Sequence, residues 1–365
     1  MGGNWSLQYD FIGWYDQLPL HKEISKFFAV DGKRCLRTLP MGFRPACEVA
    51  QNISEYLAKF NLPEGVSADV YIDNIRFVGD RENVITAGKR FLERCAIVGA
   101  KVDNVNSVPK QEDEFLGERY HYVEKTRCLT DKTLEKLKFV RECLSSQGSF
   151  SNRQVAGIFG LIFYSAEVLQ KPLCQLFHLM KWYRQKMREV ESHWNAQTSI
   201  AVSVRSDIVH WIDLLLENKP VPLYDVREDV DFEADLTLTV DACETGWGCV
   251  ATTEHSTQYF GSQWSKNDHE HHNLFSSVSS EPLGMWRSVV STVSTAMKKV
   301  IIYTDHLPLV FAMKRGVAKA DSYNILMCKL KETFKDVRFE VRFISGEKNV
   351  IADFLSRRKD EKAMG

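Results

Sequence analysis

Between residues 129 and 187 the sequence stops alternating and turns helix-periodic. The run "LTDKTLEKLKFVRECLSSQGSFSNRQVAGIFGLIFYSAEVLQKPLCQLFHLMKWYRQKM" opens on a Thr130 or Asp131 cap and repeats apolar residues at helical spacing almost throughout. On both sides lie short apolar runs broken by turn residues, the pattern of strands. A chain of 365 residues divided in this way has room for two or three domains, each with its own core. The expected fold class is α+β, organised as residues 1–123, a helical region with its linker at 124–232, a strand-bearing region at 233–358, and a polar tail at 359–365.

In the first region, "SLQYDFI" is a strand candidate, and "KFFAVDGKRCLRTLP" reads as two strands about an Asp31-Gly32 turn. "PACEVAQNISEYLAKF" repeats apolar residues near helical period, and "VYIDNIRFVG" is a hairpin with Asp73 and Asn74 at its tip. A helix follows through "NVITAGKRFLERCAIVG", then a strand at "DEFLGERYHY". This order suggests helices packed on one face of an antiparallel sheet. Further on, "ENKPVPLYDVREDVDFEAD" is a Pro-containing acidic linker. "LTLTVDA", "GWGCVATT" and "TQYFGSQW" then make a three-strand meander, followed by a long helix over roughly 281–298, the strand "KKVIIYTDH", shorter helices, the strand "FEVRFIS" and a last helix "NVIADFLSRR".

Charge narrows little: 47 Lys and Arg stand against 48 Asp and Glu, so a nucleic-acid surface has to come from local patches. The nine Cys include no CxxC pair, which reads as free thiols in a reducing, intracellular compartment, cytoplasmic or nuclear. No apolar run approaches the ~20 residues of a membrane span, and the polar start is unlike a signal peptide.

The chemistry is concentrated in acids that end apolar strands. Asp10 closes "SLQYD", Asp73 tips the hairpin, Asp241 closes "LTLTVD" and Asp305 closes "VIIYTD". A carboxylate flanked by residues that prefer burial is costly unless it is paired or metal-bound. Carboxylates brought together on neighbouring strands suit a pair of Mg²⁺ ions.

Several stretches of the first region resemble reverse transcriptase motifs. "DFIGWYDQLPLHKEISKFFAV" is similar to the palm motif with an aromatic five residues after its Asp. "LPMGFRPACEVAQ" resembles the Pro-Phe-Gly-Leu motif, "YIDN" the Tyr-x-Asp-Asp box, and "FLGERY" the primer-grip turn. The resemblance implies that Asp10 and Asp73 are catalytic metal ligands and that Tyr15 excludes a ribose 2′-hydroxyl. Gly42 would admit template and nucleotide to the backbone, and Asn74 would contact nucleotide. The plainer readings are a half-buried aromatic for Tyr15 and a turn glycine for Gly42. Asn74 stands where the family has a second Asp, and Asn106 where many relatives carry lysine. Only nine residues precede Asp10, so the family's fingers region is expected to be largely missing, as in an N-terminally truncated member.

"LTVDACETGWGCV", "SSEPLGMWRSVV", "YTDHLPLVFAM" and "SGEKNVIADFLSRR" resemble the four ribonuclease H motifs, in order, over residues 236–358. The wording is closest to retroelements of the LTR and tyrosine-recombinase types, gypsy-like or DIRS/VIPER-like. Asp241, Glu281, Asp305 and Asp353 would be the catalytic carboxylates, holding two Mg²⁺, with Mn²⁺ as the alternative. Glu281 is expected at the start of its helix because Pro282 suits a first turn. Its rival is Glu270 in "NDHEHHN", but the 24 residues from Glu281 to Asp305 fit a helix and turn better than the 35 from Glu270. That His-rich run lacks the spacing of a zinc site and reads as a solvated loop. Trp247 and Gly248 read as strand packing, and His306 as a substrate contact or a polar strand end. The middle region resembles a thumb and connection, in which Lys181, Arg184, Lys186 and Arg188 would meet phosphates or simply form a solvated face.

The function so implied is hydrolysis of RNA in RNA–DNA hybrids and templated DNA synthesis by a weakened palm site. Its partners would be an RNA–DNA hybrid, an RNA template with a DNA primer, and deoxynucleoside triphosphates. A domesticated or decayed non-catalytic nucleic-acid-binding protein, or a subunit of a larger assembly, is the alternative.

Overall fold

In a computed structural model, residues 5–190, 193–223 and 233–358 of the chain are described. The first four residues, the acidic linker stretch 224–232 and the polar tail 359–365 lie outside them. The chain divides into two compact units, Met1–Leu134 with Lys219–Tyr224, and Glu135–Asn218 with Asp225–Gly365.

In the first unit, strand Trp5–Phe11 lies inside a four-stranded antiparallel sheet, between Asn74–Gly79 and Val102–Asp103, with Ser67–Tyr71 at the far edge. Alternation sends Leu7, Tyr9 and Phe11 into the core and leaves Gln8 and Asp10 on the other face. Helices Ala46–Lys59 and Arg81–Val98 cover the apolar side. Their approach needs Gly88: a Cβ there would lie 2.5 Å from the Tyr9 hydroxyl oxygen and 2.6 Å from Leu7 Cδ2.

A second sheet runs Val221–Pro222, Thr126–Leu129, Glu118–His121, Glu112–Phe115. The stretch expected as one strand, "DEFLGERYHY", is therefore a hairpin. Leu116 and Gly117 adopt φ of +53° and +89°, the signs a type I′ turn requires. Arg76, 6% exposed, joins the two sheets. Its guanidinium lies 3.8 Å from the Tyr120 ring centroid and 4.6 Å from that of Phe115, and pairs with Asp69 at 2.6 Å.

The hairpin expected at "KFFAVDGKRCLRTLP" is reduced to its turn. Asp31 Oδ1 accepts from the amides of Lys33 and Arg34, but only isolated bridges, Ala29–Cys35 and Pro19–Thr38, flank it. Phe27 is 84% exposed. A ribbon with no face against a core gains little from extending its ladder.

The second unit begins with the helical segment. Helices Asn152–Val168, Phe177–Val190 and Val202–Leu216 follow Asp131–Ser146. Thr130 Oγ1 accepts the Thr133 amide at 3.4 Å and so supplies the cap expected at the entry to Asp131–Ser146. Ser151 and Gln154 form a reciprocal capping box.

Beyond the linker, five strands run in the order Thr257–Gln263, Gly246–Thr252, Leu236–Ala242, Lys299–Thr304, Arg338–Phe343. The first three are the expected antiparallel meander, and the last two join in parallel. Helices Ser277–Thr292 and Val350–Arg357 cover opposite faces. Gly284 lies against Ala242 and Trp247, while Gly248 lies against Ala352, Leu355 and Ser356. The architecture is α+β, and no helix among the described residues is long and apolar enough to cross a membrane.

The long helix begins at Ser277, one turn earlier than expected, so Glu281 is inside it and Pro282 is an interior proline. Pro282 has no N–H for the Val278 carbonyl, and the Ser322 hydroxyl donates to that carbonyl instead, at 2.6 Å. The run "NDHEHHN" is not a loop. Lys266–His271 is a helix with a Ser265–Asp268 capping box, and Asp268 also accepts from Arg287 at 2.6 Å.

Candidate metal centre

Asp241 ends the first strand of the second unit's sheet, Asp305 follows its parallel neighbour, and Glu281 projects from the helix beside them. One carboxylate oxygen from each lies within 4.8 Å of the others, the only such three-residue acid, Cys or His group among the described residues. Asp241 and Glu281 are buried. Burial pushes the Asp241 carboxyl up; the Ser356 hydroxyl opposes this, and Asp305 and Asp353 reinforce it. Glu281 is pushed up to about 9, by burial first and then by Asp241, Asp305 and Cys243. Like charges packed this closely without compensation raise one another's pKa, and a cation among them reverses that effect. A hard donor set made only of carboxylate oxygens fits Mg²⁺ or Mn²⁺ better than softer metals.

Asp353 is not in that group. It sits on helix Val350–Arg357, where its Oδ1 accepts from Arg357 Nε at 2.8 Å and pairs with Arg357 Nη2 at 2.7 Å. The helix is held to the Asp241 strand at both ends. Asn349 Nδ2 donates to the Val240 carbonyl at 3.1 Å, and Ser356 Oγ donates to Asp241 Oδ2 at 2.6 Å. Gly248 makes this contact close, since a Cβ would stand 2.5 Å from Leu355 Cβ and 2.6 Å from the Ala352 carbonyl. The strand-packing reading of Gly248 thus extends to placing the helix that carries Asp353.

Glu270 is not in that group; it pairs with Lys266 at 3.9 Å on its own short helix. His306 precedes helix Leu307–Arg315, and its Nε2 lies 2.7 Å from the Tyr323 hydroxyl. Burial lowers its pKa, against the pull of Asp305. Lys181 and Lys186 of the helical segment pair with Asp321 and Glu189.

The first unit holds a second acidic site. Asp10 stands opposite Asn74 on one neighbouring strand and opposite Asp103 on the other. Asp73 lies at the hairpin tip, where Ile72 takes φ +55°, the sign a type II′ turn requires at its first central residue. A β-branched residue rarely adopts it. Gln51 Oε1 accepts the Ile72 amide at 2.7 Å and the Ser54 hydroxyl donates to the Ile72 carbonyl, so helix Ala46–Lys59 holds the tip in place. Asn74 Nδ2 donates to Asp73 Oδ1 at 3.0 Å. Asp10 Oδ1 is buried with no hydrogen-bond partner, and burial, then Asp73, then Asp103 push the Asp10 carboxyl up. An orphaned carboxylate oxygen beside two further acids fits a cation.

Tyr15 donates its hydroxyl to Cys47 Sγ at 3.2 Å, and that bond, with burial second, pushes its phenol up to about 12. Gly42 is exposed with φ +88°. Sequence reasoning missed Asp103 and Ser356. "KVDN" repeats the Asp-Asn pair of "YIDN" and could have revealed the first; a serine on a helix face gives no comparable signal.

Among solved structures the chain is similar to a foamy viral protease-reverse transcriptase in complex with dsDNA, at TM-score 0.46 and 14% identity, over 94% of this chain and 68% of that one. The dRH form of that protein with dsDNA and its complex with an RNA/DNA hybrid match at TM-score 0.46 and 15% identity, again over 94% of this chain. This chain spans 57% and 44% of those two. No family model and no curated protein sequence matches the chain.

Proposed function

We propose that the chain is a retroelement reverse transcriptase–ribonuclease H, with a palm at 1–123, a thumb and connection at 124–232 and a nuclease domain at 233–358. Its best-supported activity is divalent-metal-dependent hydrolysis of the RNA strand of an RNA–DNA hybrid. The observation that carries this reading is the convergence of Asp241, Glu281 and Asp305 oxygens within 4.8 Å, on residues that match three successive ribonuclease H motifs.

Asp241, Glu281 and Asp305 would hold Mg²⁺ or Mn²⁺, with Asp353 as the fourth ligand once it leaves Arg357. Divalent ions held there would supply neutralisation of a phosphate's charge and a lowered pKa of water. The chain's own contribution is arrangement. The two strands would hold Asp241 and Asp305 side by side, the helix would present Glu281 from a buried position, and Glu281 would act as a ligand in its deprotonated form. Arg357, freed from Asp353, would meet a substrate phosphate.

The palm acids Asp10 and Asp73 would bind metal for DNA synthesis from deoxynucleoside triphosphates on a primed RNA template, with Tyr15, Gly42 and Asn74 at the nucleotide. This site would be weaker, because Asn74 brings a hydrogen bond to Asp73 in place of a further negative charge.

The test uses three end-labelled substrates with the full chain and Mg²⁺ or Mn²⁺: RNA–DNA hybrid, single-stranded RNA and duplex DNA. Cleavage of the hybrid alone, abolished by EDTA, is expected. Binding of all three without turnover would favour the non-catalytic alternative.

A further inference from the structure

We propose that Ser356 is a positioning residue of this centre, whose hydroxyl holds the Asp241 carboxylate in the orientation that takes up a divalent cation. The proposal rests on the reading that Asp241 is a metal ligand. Ser356 is 2% exposed and Asp241 6%, so water does not substitute for either partner. The hydroxyl lies 2.6 Å from Asp241 Oδ2 and 2.8 Å from the Asp353 carbonyl. It has one proton, and the charged acceptor is the stronger of the two.

Several contacts fix Ser356 itself. Its carbonyl accepts from Cys243 Sγ at 3.2 Å and Thr245 Oγ1 at 3.4 Å. The absent side chains of Gly246 and Gly248 leave room for its backbone: a Cβ would stand 2.9 Å from its carbonyl oxygen and 2.7 Å from its amide nitrogen. Two turn residues, Cys243 and Thr245, and two strand glycines, Gly246 and Gly248, thus fix the backbone from which the donor projects. With Oδ2 engaged, Oδ1 of Asp241 is the oxygen left to face Glu281 and Asp305. Without the donor, repulsion from those two acids turns the carboxylate away. A neutral hydroxyl performs this without bringing a positive charge that would compete with the cation.

Manganous ion, followed by the loss of its free paramagnetic signal, is the probe, with the full chain carrying D10N and D73N, so that the first unit's acids add no binding, as the parent and as S356A, S356T and D241N on that background. Supporting residues behind a ligand commonly set metal affinity by 10–100-fold, so S356A is expected to weaken Mn²⁺ binding by about tenfold or more, with S356T within about threefold of the parent. A packing role alone would lower the melting temperature of S356A and leave its Mn²⁺ affinity intact. Parent-like Mn²⁺ binding by S356A, with binding lost in D241N, overturns the proposal and spares the site. Parent-like binding by D241N removes the site reading itself, and the proposal with it. Should S356A not fold, Ser356→Cys takes its place as a weaker donor of similar size, and unchanged affinity there overturns the proposal equally.

Discussion

Glu281 is a buried carboxyl that burial, and then its acidic neighbours, push up to about 9 from an ordinary 4.5. An acid whose folded pKa is raised contributes stability that is fully present below the unfolded value and is lost as pH rises through the folded one. In EDTA, the urea midpoint should therefore fall as pH rises from about 4.5 to about 9, and Glu281→Gln should flatten that slope. Parent and Glu281→Gln midpoints that change alike over this window would show that the pKa of the carboxyl is not raised. Asn74 poses the opposite case. Asn74→Asp removes the donor to Asp73 and sets a further acid opposite Asp10. If cation holding limits the first unit's site, primer extension on an RNA template increases; unchanged extension puts the limit elsewhere. The acids themselves were legible because a charged residue at the end of an apolar run has few innocent explanations. Asp103 ends no such run, because its strand, Val102–Asp103, is too short to show a period, and only its Asp-Asn pair marks it.

Among elements, helix Val350–Arg357 packs on the strand glycines Gly246, Gly248 and Gly261, and helix Ser277–Thr292 takes a hydrogen bond from Ser322. Gly248→Ala drives a Cβ into backbone of the last helix. Overpacking of this kind costs roughly 1–3 kcal/mol, and the displaced helix should also weaken Mn²⁺ binding through Ser356. Denaturation and manganese titration check the two effects separately; loss of neither would show that the helix is placed without Gly248. Ser322→Ala leaves the Val278 carbonyl beside Pro282 without its donor. That bond is exposed, so its loss costs at most about 0.5–1.5 kcal/mol, visible as a slightly lower denaturant midpoint, and no change would mean that water replaces the hydroxyl. The same proline explains why the helix start was misplaced. Proline usually marks a first turn, and "NLFSSVSS" ahead of it has no apolar stripe to announce a helix. The side chain that makes an interior proline tolerable comes from residue 322, a pairing no local pattern reveals.

For the whole molecule, alternation and helical period identified the strand-bearing and helical stretches, including the meander and the last helix, because each buries one face and so repeats its apolar residues. They did not reveal that "DEFLGERYHY" folds back at Leu116-Gly117, since a leucine at positive φ is not a turn signal. They overstated the ribbon around Asp31-Gly32, where the turn residues are right but no core lies beneath. Convergence of Asp241, Glu281 and Asp305 was expected from motif order, yet the hold of Arg357 on Asp353 is visible only in three dimensions. The central claim is that these acids cleave RNA paired to DNA. Its most direct measurement follows an RNA strand, labelled at one end and annealed to DNA, in Mg²⁺ with the parent chain and with Asp241→Asn. Cleavage by the parent and only background with the variant are expected. An inert parent, or Asp241→Asn cutting as fast as the parent, would contradict that claim.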